Sequence, residues 1–276
     1  MTARGFPAAG GLAGRPVAVH GPEGPWDAVL AALAQHGAAV VYGLLPDWEP
    51  AEPDDERIMA LIGHDWERYR RFRHPKAGSR FLASRLLLKH VAAAVITSEP
   101  QLIDLAYLPG GRPYLRGCDQ VDISLSHTDD ILVVGVSRVG PIGVDVELMD
   151  RPMLGIGIEA QVCTPHELSM LGTIAEARRN SALVRLWTLK EAYSKAIGQG
   201  LRFRFTEFGF RLGDPRARVL RPDGSQGTGD EWSFGTWLVE RRFTVSVARC
   251  DAGFGTNVDL AAATMIDGAT FAALTG

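Results

Sequence analysis

Cysteine is scarce in this chain, and the few cysteines are poorly placed for cross-linking or metal binding. Cys118, Cys163 and Cys250 are far apart, odd in number and never part of a Cys-x-x-Cys pair. We therefore expect neither a disulfide framework nor a zinc site. The pattern favours a reducing, cytoplasmic location.

The chain also lacks an excess of either charge and any long apolar run. Its 29 Lys and Arg residues nearly balance 32 Asp and Glu residues, which gives a net charge of -3. There is thus no general reason to expect a nucleic acid or an anionic membrane as partner. No stretch reaches the roughly 18 uncharged apolar residues that span a bilayer, and residues 1–16 lack the apolar run of a signal peptide. We expect a soluble, intracellular protein.

The hydrophobic pattern of the chain predicts a similar order of helices and strands in its first and second halves. The first half predicts a strand, two helices and three strands at residues 38–45, 54–74, 80–96, 102–108, 121–126 and 131–137. The second half predicts the same order at residues 142–147, 165–178, 181–197, 207–212, 231–239 and 243–249. The expected fold is α+β, a pseudo-twofold pair of similar lobes that face each other across a cleft.

The same pattern sets the expected domain boundaries. Residues 1–38 form an N-terminal extension, loose up to about residue 25 because of its many glycines and prolines, and followed by a short helix from Trp26 to His36. The N-terminal lobe spans residues 39–140. The C-terminal lobe spans residues 141–250 and carries the acidic motifs, and residues 251–276 form a peripheral tail.

Two acidic side chains alternate with apolar ones in the segment from Ile142 to Glu147. The apolar residues face the core, so Asp145 and Glu147 share the opposite face of the predicted strand. A single Asp-x-Glu is usually a solvated strand face. The alternative is a divalent cation, because rigidly held carboxylate oxygens suit Mg²⁺, which binds one or two carboxylates together with substrate phosphates.

A second polar face is predicted on the helix that contains Trp187, Glu191 and Lys195, which are four residues apart. The opposing apolar stripe consists of Leu186, Leu189, Tyr193 and Ile197. Glu191 and Lys195 could be a surface pair that stabilises the helix by roughly 0.2 to 0.5 kcal/mol. Trp187 argues against this, because solvent does not explain a large aromatic side chain on a polar face. We expect a ligand or the other lobe to cover it.

Basic residues cluster between Arg68 and Arg80 and supply a local positive field. They suit a multiply phosphorylated ligand, with a solvated helix end as an equal alternative. The segment from Ser124 to His127 ends a strand close to donors that can bind phosphate. Glu167 lies three residues after Thr164 and forms a capping box with it, so Glu167 is either a helix cap or an acid behind the metal site.

Over about residues 40–249 these segments resemble the 4′-phosphopantetheinyl transferases of the surfactin-synthetase type. The family's Gly-Ile-Asp-Ile-Glu motif is similar to residues 143–147, and its Trp-x-x-Lys-Glu-Ser/Ala-x-x-Lys motif is similar to residues 187–195. Its Gly-Lys-Pro is similar to Gly111-Arg112-Pro113, and its Asn/Ser-x-Ser-His is similar to residues 124–127. The resemblance implies the family's fold of two α+β lobes, with coenzyme A and Mg²⁺ between them.

The resemblance also implies roles for individual residues. Asp145, Glu147 and Glu191 would hold Mg²⁺ against the diphosphate of coenzyme A. Lys195 would neutralise that diphosphate as the bond breaks, and Glu191 is a candidate for the base that takes the serine proton. The adenosine 3′-phosphate and its surroundings would be bound by Arg68, Arg80, Arg112, Ser126 and His127.

The implied activity is a Mg²⁺-dependent transfer of 4′-phosphopantetheine from coenzyme A, the co-substrate, to a serine of an apo acyl- or peptidyl-carrier protein, with release of 3′,5′-ADP. Such carriers serve fatty-acid, polyketide and nonribosomal-peptide synthesis. We expect a monomer without nucleic-acid or membrane partners. Two alternatives stay open: a non-catalytic module of the same fold that binds coenzyme A or a carrier protein, and an unrelated Mg²⁺-dependent enzyme that binds ATP more tightly than coenzyme A.

Overall fold

A computed structural model describes residues 14–200, 203–211 and 217–252. In the first half, the elements are β1 (Val17–Ala18), α1 (Trp26–His36), β2 (Ala38–Leu44), α2 (Leu45–Trp48), α3 (Glu56–Ile62), α4 (Trp66–Tyr69), α5 (Pro75–Ile96), β3 (Leu105–Tyr107), β4 (Pro113–Leu115), β5 (Asp122–Thr128) and β6 (Ile131–Ser137). In the second half, they are β7 (Ile142–Leu148), α6 (Glu159–Val162), α7 (Pro165–Thr173), α8 (Glu176–Ala196), β8 (Gly209–Phe210), β9 (Val219–Leu220), β10 (Trp232–Val239) and β11 (Phe243–Cys250). The expected α+β class is confirmed.

Each half of the described chain has a main sheet. The first sheet has the strand order β1-β2-β6-β5, with β1 parallel to β2 and the other neighbours antiparallel. The second has the order β10-β11-β7 and is antiparallel throughout. The long helix α5 packs on β6, and the long helix α8 packs on β7 and β11. The two halves are thus built alike, while the exact division into lobes stays a prediction.

The N-terminal segment is more ordered than expected. Helix α1 has the predicted bounds and ends at Gly37, whose φ of 70° places it in the left-handed region. A loose segment was expected before it, but β1 pairs with β2, and Trp48 Nε1 donates to the carbonyl of Val19 at 2.9 Å. Val19 is fully buried. The prediction of a loose extension is therefore wrong for residues 17–19, while residues 1–13 lie outside the described part.

Two predicted helix boundaries are also wrong, and both involve Gly or Pro. The helix predicted from residue 54 is interrupted after Ile62, because Gly63 takes a φ of 60° and a short 3₁₀ turn follows before α4. Helix α5 begins at Pro75 rather than at Arg80. Proline fits the first turn of a helix, where its missing N–H has no partner to lose.

In the second half, the helix predicted at residues 165–178 ends at Thr173, and α8 begins at Glu176 rather than Ser181. The strand predicted at 207–212 is only the two-residue β8, and its predicted end at residue 212 lies outside the described residues. The predicted strands at 231–239 and 243–249 are confirmed to within one residue at each end.

One core cluster joins the halves. It contains side chains of β2 and β6 from the first sheet and of β7 and β11 from the second, among them Val40, Val133, Val144 and Val247. A Cβ on Gly135 of β6 would lie 2.6 Å from Val144 Cγ1, so the glycine allows the two sheets to approach closely. Within the described residues, no helix is both long and apolar enough to cross a membrane.

Candidate functional site

Polar side chains of β5 connect the two sheets. Side chains two residues apart share a face of a strand, and the face of β5 toward β7 carries Asp122, Ser124, Ser126 and Thr128. Asp122 Oδ2 accepts the backbone N–H of residue 142 at 2.7 Å, and Ser124 Oγ accepts that of residue 144 at 3.1 Å. Further along, Ser126 and Thr128 donate to the two carboxylates of β7. The predicted acidic strand therefore lies at the junction of the two halves.

Helix α8 lies directly on β7 because of one glycine. A Cβ on Gly143 would be 1.9 Å from the carbonyl oxygen of Ala192 and 2.6 Å from the nitrogen of Ala196. Any larger residue would push the helix away. This close approach brings Glu191 and Lys195 of α8 to the carboxylates of β7, so the two predicted motifs meet.

Lys195 pairs with Asp145. Its Nζ lies 2.7 Å from Asp145 Oδ1, and Nζ also donates to Ser126 Oγ at 3.0 Å and to the Val144 carbonyl at 3.1 Å. Ser126 Oγ in turn donates to Asp145 Oδ1 at 2.7 Å. The ammonium, the hydroxyl and the carboxylate thus form a closed network of three groups. Lys195 therefore pairs with Asp145 and not with Glu191, the partner that the four-residue spacing alone suggests.

Glu147 is held by three donors. Its Oε1 accepts from Thr128 Oγ1 at 3.1 Å and from the backbone N–H of Leu148 at 2.9 Å, and its Oε2 forms an ion pair with Arg151. The Arg151 guanidinium lies over the ring of Trp187, 5.7 Å from its centroid. Sequence reasoning missed Arg151, because it lies beyond the end of the strand and nothing in its spacing points to Glu147.

Trp187 is half-buried and packs edge-on against Phe205, with ring centroids 5.6 Å apart. Arg151 and Phe205 both belong to the second half of the chain. Neither contact comes from the first half of the chain, and the expectation that a ligand or the other lobe covers this face stays a prediction. A cation and an aromatic ring of the same half explain this side chain on the polar face.

Glu191 differs from the other two carboxylates. Only 7% of its surface is exposed, and it accepts no hydrogen bond from the residues that the structure describes. Burial and the negative charge of Asp145 together raise the pKa of Glu191 to about 7, although the positive charge of Lys195 opposes the shift. A buried carboxylate of this kind can share a cation or exchange a proton near neutral pH.

The chemistry of this cluster fits Mg²⁺. Asp145, Glu147 and Glu191 are each 7% exposed and offer hard oxygen ligands on a strand and a helix. Among the described residues, however, no three His, Cys, Asp or Glu side chains converge as a ready metal site. Two of the three carboxylates pair with Lys195 and Arg151 instead, so the assignment of metal ligands stays a prediction.

Cations crowd around the neighbouring His127. His127 is exposed at the surface, but the neighbouring protein partly desolvates its ring. This desolvation and the positive charges of Arg80, Arg85 and Lys195 together lower the pKa of His127 to about 4. The Nε of Arg80 is buried without a hydrogen-bond partner in the described part of the chain. Arg68 is exposed, with its guanidinium 5.3 Å from the ring centroid of Phe81. These residues form a positive surface beside the carboxylates.

Arg85, for which the sequence predicted no role, is 7% exposed and pairs with Asp65. Its Nε donates to Asp65 Oδ2 at 3.0 Å, and the hydroxyl of Tyr107 also donates to this oxygen. The guanidinium lies 4.4 Å from the ring centroid of Phe81. Arg85 is thus fixed as a buried cation behind the positive surface.

Arg112 lies between the two halves. Its guanidinium pairs with Asp122 and donates to the carbonyls of Ala196 at 2.9 Å and Ile142 at 3.0 Å. The side chain therefore ties β5 and β7 to the end of α8. Its implied role in phosphate binding stays a prediction.

Sequence reasoning missed a buried ion pair next to the site. Lys190 and Glu167 are both fully buried, with Nζ 2.6 Å from Glu167 Oε2. The predicted capping box of Glu167 with Thr164 is confirmed, so Glu167 caps α7 and also neutralises Lys190. A signal was present: Lys190 falls four residues after Leu186 and three before Tyr193, on the apolar stripe, where a lysine needs a buried partner.

A cluster of acids lies beside a cluster of cations at the junction of two similar α+β halves, which is the arrangement that the sequence-based prediction of a metal-and-phosphate site requires. Residues 141–248, which contain β7 and α8, match the model of the 4′-phosphopantetheinyl transferase superfamily. Over these residues the chain is similar to that superfamily.

Individual relatives agree with this assignment. A 4′-phosphopantetheinyl transferase of Bacillus subtilis is 28% identical over 188 residues, which are 67% of this chain and 83% of the relative. A phosphopantetheinyl transferase of a Thraustochytrium species is 29% identical and aligns with 73% of this chain and 74% of the relative. The Sfp transferase of Bacillus subtilis strain 168 is 24% identical over 66% of this chain and 81% of the relative.

Among solved structures, a holo-(acyl-carrier-protein) synthase from Bacillus anthracis in complex with CoA (3′,5′-ADP) shows 19% identity. It covers 40% of this chain and 95% of its own, with a TM-score of 0.34. The likeness is too distant to support any argument about the fold or the ligand.

Proposed function

We propose that the protein transfers the 4′-phosphopantetheine group of coenzyme A to a serine hydroxyl of an apo acyl- or peptidyl-carrier protein. The serine oxygen attacks the phosphorus next to pantetheine, the bond to the bridging oxygen of the diphosphate breaks, and 3′,5′-ADP leaves with that oxygen. A base takes the serine proton. The observation that carries the proposal is the buried cluster of Asp145, Glu147, Glu191 and Lys195 beside a positive surface.

The acidic cluster would hold Mg²⁺ with Asp145, Glu147 and Glu191. When bound, this cation would neutralise charge on the diphosphate. Lys195 supports the same task, since its ammonium is fixed by Asp145, Ser126 and the Val144 carbonyl. Glu191 is also the candidate base, because its raised pKa places proton uptake near neutral pH. Its roles as ligand and as base both stay open.

The positive surface would bind the phosphates of the adenosine part. Arg80 supports this most directly, since its buried Nε has no partner among the described residues. Desolvation and the surrounding cations keep the pKa of His127 low, so that its neutral ring offers an N–H, and Arg68 is exposed close by on the ring of Phe81. Ser126 and Arg112 complete the set, although the donors of Arg112 now contact Asp122 and two carbonyls.

We further propose that the enzyme works in the cytoplasm as a monomer and serves carriers of fatty-acid, polyketide or nonribosomal-peptide synthesis. Three widely spaced cysteines support a reducing compartment. The second candidate is a non-catalytic module of the same fold that binds coenzyme A or a carrier protein. The presence of Lys195 and of all three carboxylates favours the enzyme.

The test is the intact mass of apo carrier proteins after incubation with coenzyme A and Mg²⁺. We expect a mass gain of one phosphopantetheine, which EDTA abolishes. Asp145→Asn and Glu191→Gln should each reduce the rate by about 100-fold or more, because preorganised charge contributes most to such transfers. Arg218→Gln is the control, since Arg218 pairs with Asp230 at 2.7 Å and, among the described residues, with no other acid.

The outcomes separate the two candidates. Binding of coenzyme A without any mass gain on several carriers would support the binding module. Normal transfer by Asp145→Asn and Glu191→Gln would contradict the assigned site, even if the activity itself is found.

A further inference from the structure

The carboxylates of the site already have internal counter-ions. Asp145 pairs with Lys195 at 2.7 Å, and Glu147 pairs with Arg151. When Glu191 is ionised, the three carboxylates carry one negative charge more than these two cations. Such a site attracts a divalent cation far less than three bare carboxylates do.

Arg151 is held in place from several sides. The side-chain amide of Asn180 donates to the Arg151 carbonyl at 2.9 Å, and its oxygen accepts the backbone N–H of Met153 at 3.0 Å and of Leu154 at 3.1 Å. Asn180 belongs to α8, so the helix that carries Glu191 also fixes the loop that carries Arg151. The guanidinium also packs over the ring of Trp187, 5.7 Å from its centroid. Arg151 is therefore a built part of the site rather than a loose surface cation.

We propose that Arg151 and Lys195 act as internal counter-ions of Glu147 and Asp145. A divalent cation then binds strongly only together with a ligand that carries a diphosphate. Arg151 sets the strength of this coupling between the metal and the diphosphate ligand. The inference rests on the proposed function for the identity of the diphosphate ligand. The inference concerns the binding of the metal ion, whereas the proposed function concerns the transfer of phosphopantetheine after the metal and coenzyme A have bound.

The physical reason is charge balance. A divalent cation placed next to Glu147 must compete with the guanidinium of Arg151 or remain beside it, and either costs binding free energy. A diphosphate adds negative charge that satisfies both the metal and the displaced cations. The coupling is reciprocal, so the metal strengthens binding of the diphosphate ligand by the same factor.

A titration with Mn²⁺ tests this coupling without measuring transfer. The electron paramagnetic resonance signal of the free ion reports how much Mn²⁺ is bound. Wild-type protein is titrated alone, with coenzyme A and with adenosine 3′,5′-bisphosphate, which lacks the diphosphate. Mn²⁺ bound by each nucleotide in the absence of protein is subtracted. The variants are Arg151→Gln, which removes the charge, and Arg151→Lys, which keeps it.

Arg218→Gln is the matched control. Arg218 is also a surface arginine in an ion pair, and its side chain is 40% exposed against 41% for Arg151. It touches none of the three carboxylates. A general effect of losing one positive surface charge should therefore show in this variant as well.

Coenzyme A should strengthen Mn²⁺ binding to the wild type by at least about tenfold, and the bisphosphate should not. Arg151→Gln should bind Mn²⁺ alone about three- to tenfold more tightly, since one partly exposed charge is removed. Its coupling to coenzyme A should shrink by the same factor, while Arg151→Lys and Arg218→Gln behave like the wild type. Because a gain of affinity is expected, misfolding cannot imitate the result.

Weaker or unchanged Mn²⁺ binding by Arg151→Gln would overturn the role of Arg151. Strong Mn²⁺ binding to the wild type without any nucleotide would overturn the coupling. If coenzyme A does not bind at all, the proposed function fails, and inorganic diphosphate then replaces it as the probe, so that the counter-ion inference is still decided.

Discussion

Two neighbouring charged residues of α8, Lys190 and Glu191, differ in how completely the structure satisfies them. Lys190 is fully buried, and its Nζ contacts the Glu167 carboxylate and the carbonyls of Val162, Phe205 and Phe208, all within 2.6 to 2.7 Å. Glu167 in turn accepts the backbone N–H of Thr164 and of residue 210. Every group of this pair is matched, so it holds the structure together.

The next residue, Glu191, has the opposite environment. It is almost as buried, but it accepts no hydrogen bond from the described residues, and its pKa is raised to about 7. A buried polar group without partners is costly, and natural proteins retain such groups mainly where they act on a ligand or a proton. The comparison therefore separates a satisfied ion pair from an unsatisfied acid within one turn of helix, and the unsatisfied acid is the one proposed to act in the reaction.

The largest effect is expected from breaking the structural pair. Lys190→Met leaves the Glu167 carboxylate buried without its cation and should lower the free energy of unfolding by about 3–5 kcal/mol, measured by urea denaturation. The neighbouring Glu191→Gln should cause no such loss at pH 8, because it removes an unsatisfied charge.

The double variant Glu167→Gln/Lys190→Met provides the control. Neither side chain is then charged, so a substantial part of the stability should return relative to Lys190→Met. If Lys190→Met is as stable as the wild type, the pair is not structural and the contrast with Glu191 is lost.

A smaller effect follows from the pKa of Glu191. In the folded protein the pKa is about 7, above the ordinary 4.5, so the folded state binds more protons than the unfolded state between these values. The resulting stability is fully present below about pH 4.5 and is lost as the pH rises through 7. The loss amounts to about 1–3 kcal/mol. Melting temperatures between pH 5 and 8, without divalent cations, should show it.

Glu191→Gln should remove this loss, so its melting temperature should exceed that of the wild type at pH 8 and approach it at pH 5. The difference between the two proteins is the relevant quantity. His127 contributes the opposite slope, since its lowered pKa makes the folded state bind fewer protons between about pH 4 and 6.5, but it contributes equally to both proteins. Parallel pH profiles would show that Glu191 is not the group that titrates.

Local patterns in the sequence predicted much of the fold. Helix α1 was found with its bounds because Gly37 ends it, and β6 because it is a short apolar run between turn residues. The start of α5 and the break at Gly63 were missed. At both positions Pro or Gly can either begin or end a helix, so the local pattern does not decide between these roles.

For the site, the sequence predicted which residues meet but not how they pair. The alternation in β7 and the spacing in α8 placed Asp145, Glu147, Glu191 and Lys195 together. The pairing of Lys195 with Asp145 rather than Glu191 depends on how closely Gly143 lets α8 approach β7. Such contacts between distant segments leave no trace in local periodicity.

Equal or smaller effects are expected from two serines on one face of β5, of which one contacts the backbone of β7 and the other contacts Asp145 and Lys195. Ser124 Oγ accepts the N–H of Val144, whereas Ser126 Oγ joins Asp145 and Lys195. Ser124→Ala leaves a buried N–H unpaired and should cost about 1–3 kcal/mol of stability with little change in transfer rate. Ser126→Ala should cost about 0.5–1.5 kcal/mol and slow transfer several-fold, because Lys195 loses one of its anchors. Urea denaturation and the rate of mass gain on the carrier should be measured for both variants. Equal losses of transfer rate would contradict the expectation that only Ser126 contributes to transfer.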